Sequence, residues 1–325
     1  MKPCRSHLDF AVYVSFFPQL VAGPIERAKR LLPQIREPRR ILAADVESGL
    51  WFVFWGFFLK IFVADNLAPI VNVTFRDAAT VEGAQVLVAV YAFAFQIFGD
   101  FAGYSSIAIG IGKLMGFHLM TNFRFPYFVT NPRDFWRNWH ISLSTWLRDY
   151  LYIPLGGSRG SRFMIYRNLL LTMLLGGLWH GAAWTFVLWG AYQGAILMIH
   201  RVATRHAAAE PAVGGPLAWT SRVLRILFMF QVTCLGWLIF RAESMTQFGQ
   251  LLNAVFTDLG PPSRATVYYA AQLLFYTWLM VLVQLLQRWS RDEMGLLRLP
   301  GWIRVPVAVA MFYSLLVWGA FGGQE

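Results

Sequence analysis

The sequence predicts an all-α, polytopic membrane protein, and three observations lead to this fold class. The 325 residues are 57% hydrophobic but only 14% charged, whereas soluble domains are about 25% charged. Aromatic residues make up 17% of the chain, as suits a protein with aromatic belts at two membrane interfaces. The net charge of +11 comes from basic residues spread over several short loops between apolar runs. That distribution follows the positive-inside rule and speaks against nucleic-acid binding.

Five apolar runs are predicted to cross the membrane as helices: residues 50–64, 83–111, 223–240, 267–286 and 305–321. Lys60 stands near the end of the first run, where its ammonium is able to snorkel to the interface. Asp100 makes the second run a span that carries a buried carboxylate. The loops at 65–82 and 243–264 contain more acidic than basic residues, so we expect them to face outward.

A basic and aromatic block occupies residues 113–167, with eight Lys or Arg and only two acids. The charge places this block in the cytoplasm, together with the connector at 201–222. Phenylalanine, tryptophan and tyrosine alternate with the arginines. This composition predicts amphipathic helices that lie in or just under the headgroup layer.

The central stretch, residues 168–200, is predicted to form a re-entrant hairpin. It is much longer than the ~20 residues of a single membrane helix, and both of its flanks, Arg167 and Arg201, are basic. Since both flanks belong on the same side, the chain must enter and turn back, and the glycine-rich run at 176–181 is the expected turn. His180 lies in that turn at membrane depth. An ionisable residue there is costly and suggests a functional site, although a neutral histidine at a helix contact would also fit.

His140 and His180 are therefore the candidate catalytic residues. A metal site would need three or more clustered ligands, and the sequence has no closely spaced pair. A serine hydrolase would need a Gly-x-Ser-x-Gly turn, which is missing, so Ser142 and Ser144 are interpreted as helix-surface or capping residues. A buried neutral histidine suits general-base catalysis, because it can accept a proton from an alcohol that attacks an activated acyl group.

Four long motifs resemble the membrane-bound O-acyltransferase family: FPQLVAGPIER at 17–27, DFAGYS at 100–105, DFWRNWHISLSTWLRDYLYIPLGG at 134–157 and GLWHG at 177–181. Within the family, the chain looks most like the bacterial branch typified by the alginate O-acetyltransferase membrane subunit. The resemblance covers nearly the whole chain, which we interpret as one membrane domain over residues 1–325. Similar family members carry several more helices before the first motif and a short tail after the last residues. We therefore expect this chain to be a fragment.

The resemblance implies a ring of helices around a thinned centre, where a cytoplasmic acyl thioester meets an acceptor from the other face. It implies His180 and His140 as catalytic residues, and we predict substrate-binding residues beside them in the same motifs: Asp134, Trp136, Arg137, Asn138 and Trp179. No bound cofactor and no metal are expected. The co-substrate would be an acyl thioester, acetyl coenzyme A or an acyl carrier. Expected partners are membrane lipids, a polysaccharide acceptor and periplasmic acyltransferase subunits, in a bacterial inner membrane.

Transfer of an acetyl or other short acyl group to an extracytoplasmic polysaccharide such as alginate is thus the leading hypothesis. Two alternatives remain open at this point. The same fold would serve a different acyl group or acceptor, such as D-alanine to a teichoic acid or a fatty acyl group to a lipid or protein. A transporter with a broken helix at the midplane would also place a polar residue at membrane depth.

Overall fold

The computed structural model describes residues 6–205 and 215–322 of the chain. Over these residues the protein is helical and has no β-strand, which confirms the all-α class. In chain order the helices are α1 (His7–Ser15), α2 (Ala28–Arg36), α3 (Ala43–Phe57), α4 (Asp65–Arg76), α5 (Gly83–Leu114), α6 (Pro132–Asn138), α7 (Ile141–Leu147), α8 (Arg162–His180), α9 (Trp184–Ala203), α10 (Pro216–Arg241), α11 (Met245–Thr257), α12 (Arg264–Ser290) and α13 (Gly301–Trp318).

Several helices begin at a side-chain cap. The hydroxyl of Ser161 accepts a hydrogen bond from the backbone N–H of Met164 at the start of α8, and that of Ser244 does the same for Gln247 at the start of α11. Such caps satisfy backbone donors that the first helical turn leaves free. The connectors therefore set where both helices begin.

Among the described residues, five helical stretches are long and apolar enough to cross a membrane: Ala43–Arg76, Gly83–Leu114, Ala218–Arg241, Arg264–Ser290 and Gly301–Trp318. They contain four of the five predicted spans in full, and the fifth, predicted at 305–321, ends at Trp318, three residues earlier. The five stretches confirm a polytopic membrane protein.

The first of these spans is longer than the sequence predicted. It continues from α3 through a π-helical turn, Phe58–Ala64, into α4, so the expected loop after residue 64 is wrong over residues 65–76. The helix continues because α4 is amphipathic, with Leu67, Ile70 and Val71 at most 1% exposed. Burial of that apolar face stabilises a helix despite the charged residues at its two ends.

The described residues cluster into two compact units. The first contains residues 6–69, 95–122 and 270–322. In it α3 and the second part of α5 approach closely at glycines, since a Cβ added to Gly56 would lie 2.5 Å from the carbonyl oxygen of Gly103. Small residues allow this close helix packing.

Lys60 in this unit donates to Asp100 at 2.6 Å and to Asp65 at 2.7 Å. The prediction of a buried carboxylate at Asp100 is wrong, because 44% of the surface of its side chain is exposed. The ammonium of Lys60 supplies the counter-charge for this carboxylate within the membrane span.

The second unit contains residues 70–94, 123–205 and 215–269. Its centre is an antiparallel pair formed by α8 and α9, against which α6 and α10 pack. A Cβ on Gly177 would lie 2.3 Å from the carbonyl oxygen of Phe186, and one on Gly190 would lie 2.5 Å from that of Met173. The two backbones are therefore close enough to exclude any larger side chain at these positions.

The turn of this helix pair lies at residues 181–183, later than the predicted run at 176–181. Gly176 and Gly177 remain helical because they are buried in the α8–α9 interface. Gly181 ends α8 with an extended backbone, φ 169° and ψ 155°. His180 is thus the last residue of α8 rather than a loop residue.

Candidate active site

The short helix α6 is built by its own polar side chains. Asn131 caps it, accepting from the backbone N–H of Asp134 at 2.8 Å, while its amide donates to the carboxylate of Asp134 at 2.7 Å. Asn138 donates to the backbone carbonyl of Asp134 at 2.7 Å, and Arg137 lies 3.3 Å from its carboxylate. Asp134 and Asn138, predicted to bind substrate, thus make hydrogen bonds within α6. Their substrate contacts stay a prediction.

His140 lies at the junction of α6 and α7 in a left-handed backbone conformation, φ 42° and ψ 55°. This conformation is uncommon for a residue with a side chain and turns the chain sharply between the two helices. The imidazole is buried, and its Nδ1 lies 3.5 Å from the hydroxyl of Ser142. Burial lowers the pKa of His140 to about 3, and the nearby His180 contributes to the lowering. The side chain is therefore neutral at physiological pH.

His180 is surrounded by aromatic rings. Its ring centroid lies 5.0 Å from that of Trp179, 5.3 Å from that of Trp189 and 5.2 Å from that of Phe240. Trp189 and Phe240 are also in contact with each other, at 5.3 Å. An apolar wall on this side disfavours a charged imidazole and favours the neutral form that acts as a base.

The two histidines meet at Trp179. Its indole lies 6.5 Å from the ring of His140 and 5.0 Å from the ring of His180, while 60% of its surface stays exposed. These histidines are 40 positions apart in the sequence. The packing of α6 and α7 with α8 and α9 brings them together. One neutral imidazole beside another can pass a proton or divide the work of base and binding group.

A cavity of about 1000 Å³ is lined by Trp136, by Ile141, which follows His140, and by the ends of α8 and α9 that lie away from His180. Six arginines from the block at 113–167 and from the end of α9 line it: Arg133, Arg137, Arg148, Arg162, Arg201 and Arg205. The described lining contains no carboxylate. A site of this charge suits phosphate groups, which arginine recognises with paired N–H donors.

The predicted site residues divide between these features. Trp136 and Arg137 line the cavity, Trp179 contacts both histidines, and Asp134 and Asn138 stabilise α6. Sequence reasoning missed Trp189 and Phe240. Trp189 follows His180 by nine residues, across the turn, and Phe240 belongs to α10, so neither position shares a local pattern with His180. Among the described residues, no group of three or more metal-ligating side chains is present.

Comparison with known proteins places these motifs in a family. The model of the membrane-bound O-acyltransferase family matches residues 5–240. The "Probable alginate O-acetylase AlgI" of Azotobacter vinelandii is 43% identical over 284 residues, which cover 85% of this chain and 55% of that protein. The peptidoglycan O-acetyltransferase of Helicobacter pylori is 40% identical over 250 residues, covering 76% and 46%. The teichoic acid D-alanyltransferase of Bacillus subtilis is 28% identical over 242 residues, covering 71% and 60%.

The chain spans about half the length of the curated relatives that it matches most extensively. The matched region includes both histidine motifs, the α8–α9 pair and the arginine-lined cavity. The chain belongs to the membrane-bound O-acyltransferase family.

Proposed function

We propose that this chain carries the catalytic region of an O-acyltransferase that moves an acetyl or other short acyl group from a cytoplasmic thioester to hydroxyls of an extracytoplasmic polysaccharide. Alginate is the preferred acceptor, because the relatives at 43–45% identity are named as alginate O-acetylases. The proposed location is the bacterial inner membrane. The single observation that carries the proposal is the meeting of His140 and His180 at Trp179, with Trp189 and Trp136 connecting His180 by ring contacts to an arginine-lined cavity.

The arginine-lined cavity is the proposed donor site. Coenzyme A and the arm of an acyl carrier both join a thioester to phosphate, and the guanidinium groups offer a binding surface for that phosphate. Trp136 lines this cavity and also contacts Trp189, at 5.9 Å between ring centroids, and Trp189 contacts His180. A donor anchored by its phosphate would therefore extend its acyl end along these two indoles toward the histidines.

His180 is the proposed general base. In its neutral form it takes the proton of the acceptor hydroxyl as the oxygen attacks the thioester carbonyl, and it returns a proton to the departing thiolate. His140, more deeply buried, would position the donor or share the proton transfer. Membership of an acyltransferase family favours this chemistry over transport. Since one relative is a D-alanyltransferase, D-alanine remains the alternative acyl group.

The proposed topology puts residues 113–167 and 201–222 in the cytoplasm. It puts residues 243–264 outside, together with residues 77–82, the part of the predicted outer loop that follows α4. Contacts within the second unit support placing the two cytoplasmic stretches on one side of the membrane and the two outer stretches on the other. Arg162 and Arg201, one from each cytoplasmic stretch, line the same cavity. On the other side, Gln247 donates to the backbone carbonyl of Phe75 at 2.7 Å. Residues 206–214 of the connector lie outside the described residues.

The topology is tested by accessibility labelling of single cysteines at Ser161 and Ser244 in a full-length protein whose native cysteines are replaced. We expect labelling from opposite sides of the membrane. Labelling of both positions from one side would refute the proposed topology.

The function is tested with full-length protein in a host that exports alginate. Loss of a general base costs about 10²–10⁴ in rate, so His180→Ala should insert normally and leave the polymer almost unacetylated. His140→Ala should be impaired less if it only positions the donor. His118→Ala is the matched control, because this exposed histidine lies in the first unit, 3.9 Å from Asp45. Normal acetylation by a well-inserted His180→Ala protein would refute the base assignment.

A further inference from the structure

Two buried indole N–H groups lack an acceptor among the described residues: that of Trp189, whose ring contacts His180, and that of Trp136, whose ring contacts Trp189. The Nε1 atoms of Trp136 and Trp189 are shielded from solvent, and neither has a hydrogen-bond partner among the described residues. Trp189 as a whole is only 2% exposed. Buried tryptophan N–H groups usually find a partner. Two such unsatisfied donors in one aromatic cluster point to an acceptor atom that arrives with a ligand.

The positions of these donors relate them to the reacting groups. The indole of Trp189 stands edge-to-face against the imidazole of His180, with ring planes at 86° and centroids 5.3 Å apart. Trp136 packs against Trp189 in the same manner, at 70° and 5.9 Å, and Trp136 also lines the arginine-lined cavity. The two indole rings thus form a chain of contacts from the proposed donor site to the proposed base.

We propose that the N–H groups of Trp189 and Trp136 form the oxyanion hole of the acyl transfer, an inference that rests on the proposed function. The acceptor oxygen forms a bond to the thioester carbonyl carbon while His180 takes the hydroxyl proton. The carbonyl electron pair moves onto its oxygen, which the two indoles hold by hydrogen bonds. The pair then re-forms the carbonyl, the C–S bond breaks, and His180 returns the proton to the thiolate.

Indole is well suited to this role. It is a donor only, carries no charge and does not exchange its proton with a neighbouring base. A dry aromatic site strengthens a hydrogen bond to a developing anion. The third unpaired atom nearby, the Oε1 of Gln193 on α9, is an acceptor and cannot stabilise an oxyanion. It therefore has no part in the proposed hole.

The test replaces each indole with benzothienylalanine, which keeps the shape of the ring and exchanges the N–H for sulfur. The assay uses inner-membrane vesicles containing the full-length protein, with acetyl coenzyme A as donor and deacetylated alginate as acceptor. Loss of one oxyanion-hole donor typically lowers kcat by about 10²–10³. We expect a fall of that size for Trp189 and for Trp136, with little change in the KM for the donor.

Trp184 gives the matched control, since it begins the same helix α9 but is 77% exposed. The same replacement there should leave kcat unchanged. Wild-type kcat after replacement of Trp189 and of Trp136 would overturn the inference while the proposed function stands. The two N–H groups would then be assigned as donors to a structural water molecule. A wild-type protein that transfers no acetyl group would refute the proposed function, and the oxyanion hole with it.

Discussion

The Nζ atom of Lys60 lies 2.6 Å from an oxygen of Asp100, and this ion pair joins α3 and its π-helical continuation to α5 in the first unit. The same ammonium lies 2.7 Å from Asp65. One cation therefore balances part of the charge of two carboxylates on neighbouring membrane helices. Charged residues within membrane spans are costly unless they are paired in this way.

Lys60→Met and Asp100→Asn should each lower the thermal midpoint of the detergent-solubilised protein. A hydrogen bond to a charged group contributes about 1.5–3 kcal/mol, and the half-exposed pair should lie at the lower end of this range. In the double variant the loss should be smaller than the sum of the two single losses. Arg76→Met is the control, because its exposed pair with Asp77 should contribute almost nothing. Strict additivity of the two changes would contradict the coupling.

Gly177→Ala should separate α8 from α9. The added methyl group would lie 2.3 Å from the carbonyl oxygen of Phe186, so a backbone must move. Overpacking of this kind costs about 1–3 kcal/mol and would also shift His180 at the end of α8. We expect a lower thermal midpoint and reduced acetylation in the full-length protein.

Gly249→Ala is the matched control for that substitution. Gly249 also lies within a helix, α11, but a Cβ there would meet no atom within 4 Å. Alanine at a free helical position stabilises by about 0.4–1 kcal/mol, so stability should hold or rise. An equal loss in both variants would show that close packing of α8 and α9 is not the cause.

Arg162→Gln and Arg201→Gln should weaken donor binding without slowing the chemical step. Both guanidinium groups line the cavity, and a lost charge-assisted hydrogen bond of about 1.5 kcal/mol corresponds to a roughly tenfold rise in KM. The KM for acetyl coenzyme A should also become less sensitive to salt. Steady-state kinetics in vesicles measure both effects, with the exposed Arg304→Gln as control. A fall in kcat at unchanged KM would argue against a donor-binding role.

The stability of the protein should fall as the pH drops from 7 to 5, in part because of His140. Its pKa of about 3 in the folded state lies below the value near ~6.5 of an unfolded histidine. Below that unfolded pKa the unfolded chain gains a proton that the folded protein cannot bind, so unfolding becomes more favourable by up to ~1.36 kcal/mol per pH unit.

His140→Gln should therefore flatten the pH dependence of the thermal midpoint over this range. His118→Gln is the matched control, because it removes an exposed histidine of the first unit and leaves His140 in place. Parallel curves for the wild type and His140→Gln would contradict the assigned shift.

The fold class was readable from local sequence. Hydropathy over about 20 residues predicted the five spans, because each membrane helix satisfies its own backbone hydrogen bonds and is defined by its own composition. Long motifs gave the family and the pair His140 and His180. The α8–α9 pair was also visible as an apolar stretch with basic flanks. The length of the first span could not be predicted from local sequence, because the amphipathic α4 stays helical only when its apolar face is packed.

Tertiary packing decided how the site is assembled. The indole of Trp179 joins two histidines from separate motifs, and Phe240 comes from α10, far along the chain. Arginines from the segment between α6 and the end of α9 line one cavity. In the sequence, the same arginines indicated only that this segment faces the cytoplasm. Composition determines which residues enter the membrane, because transfer free energy acts on each segment separately. Which side chains meet depends on helix contacts between distant segments, and those contacts exist only once the helices have packed.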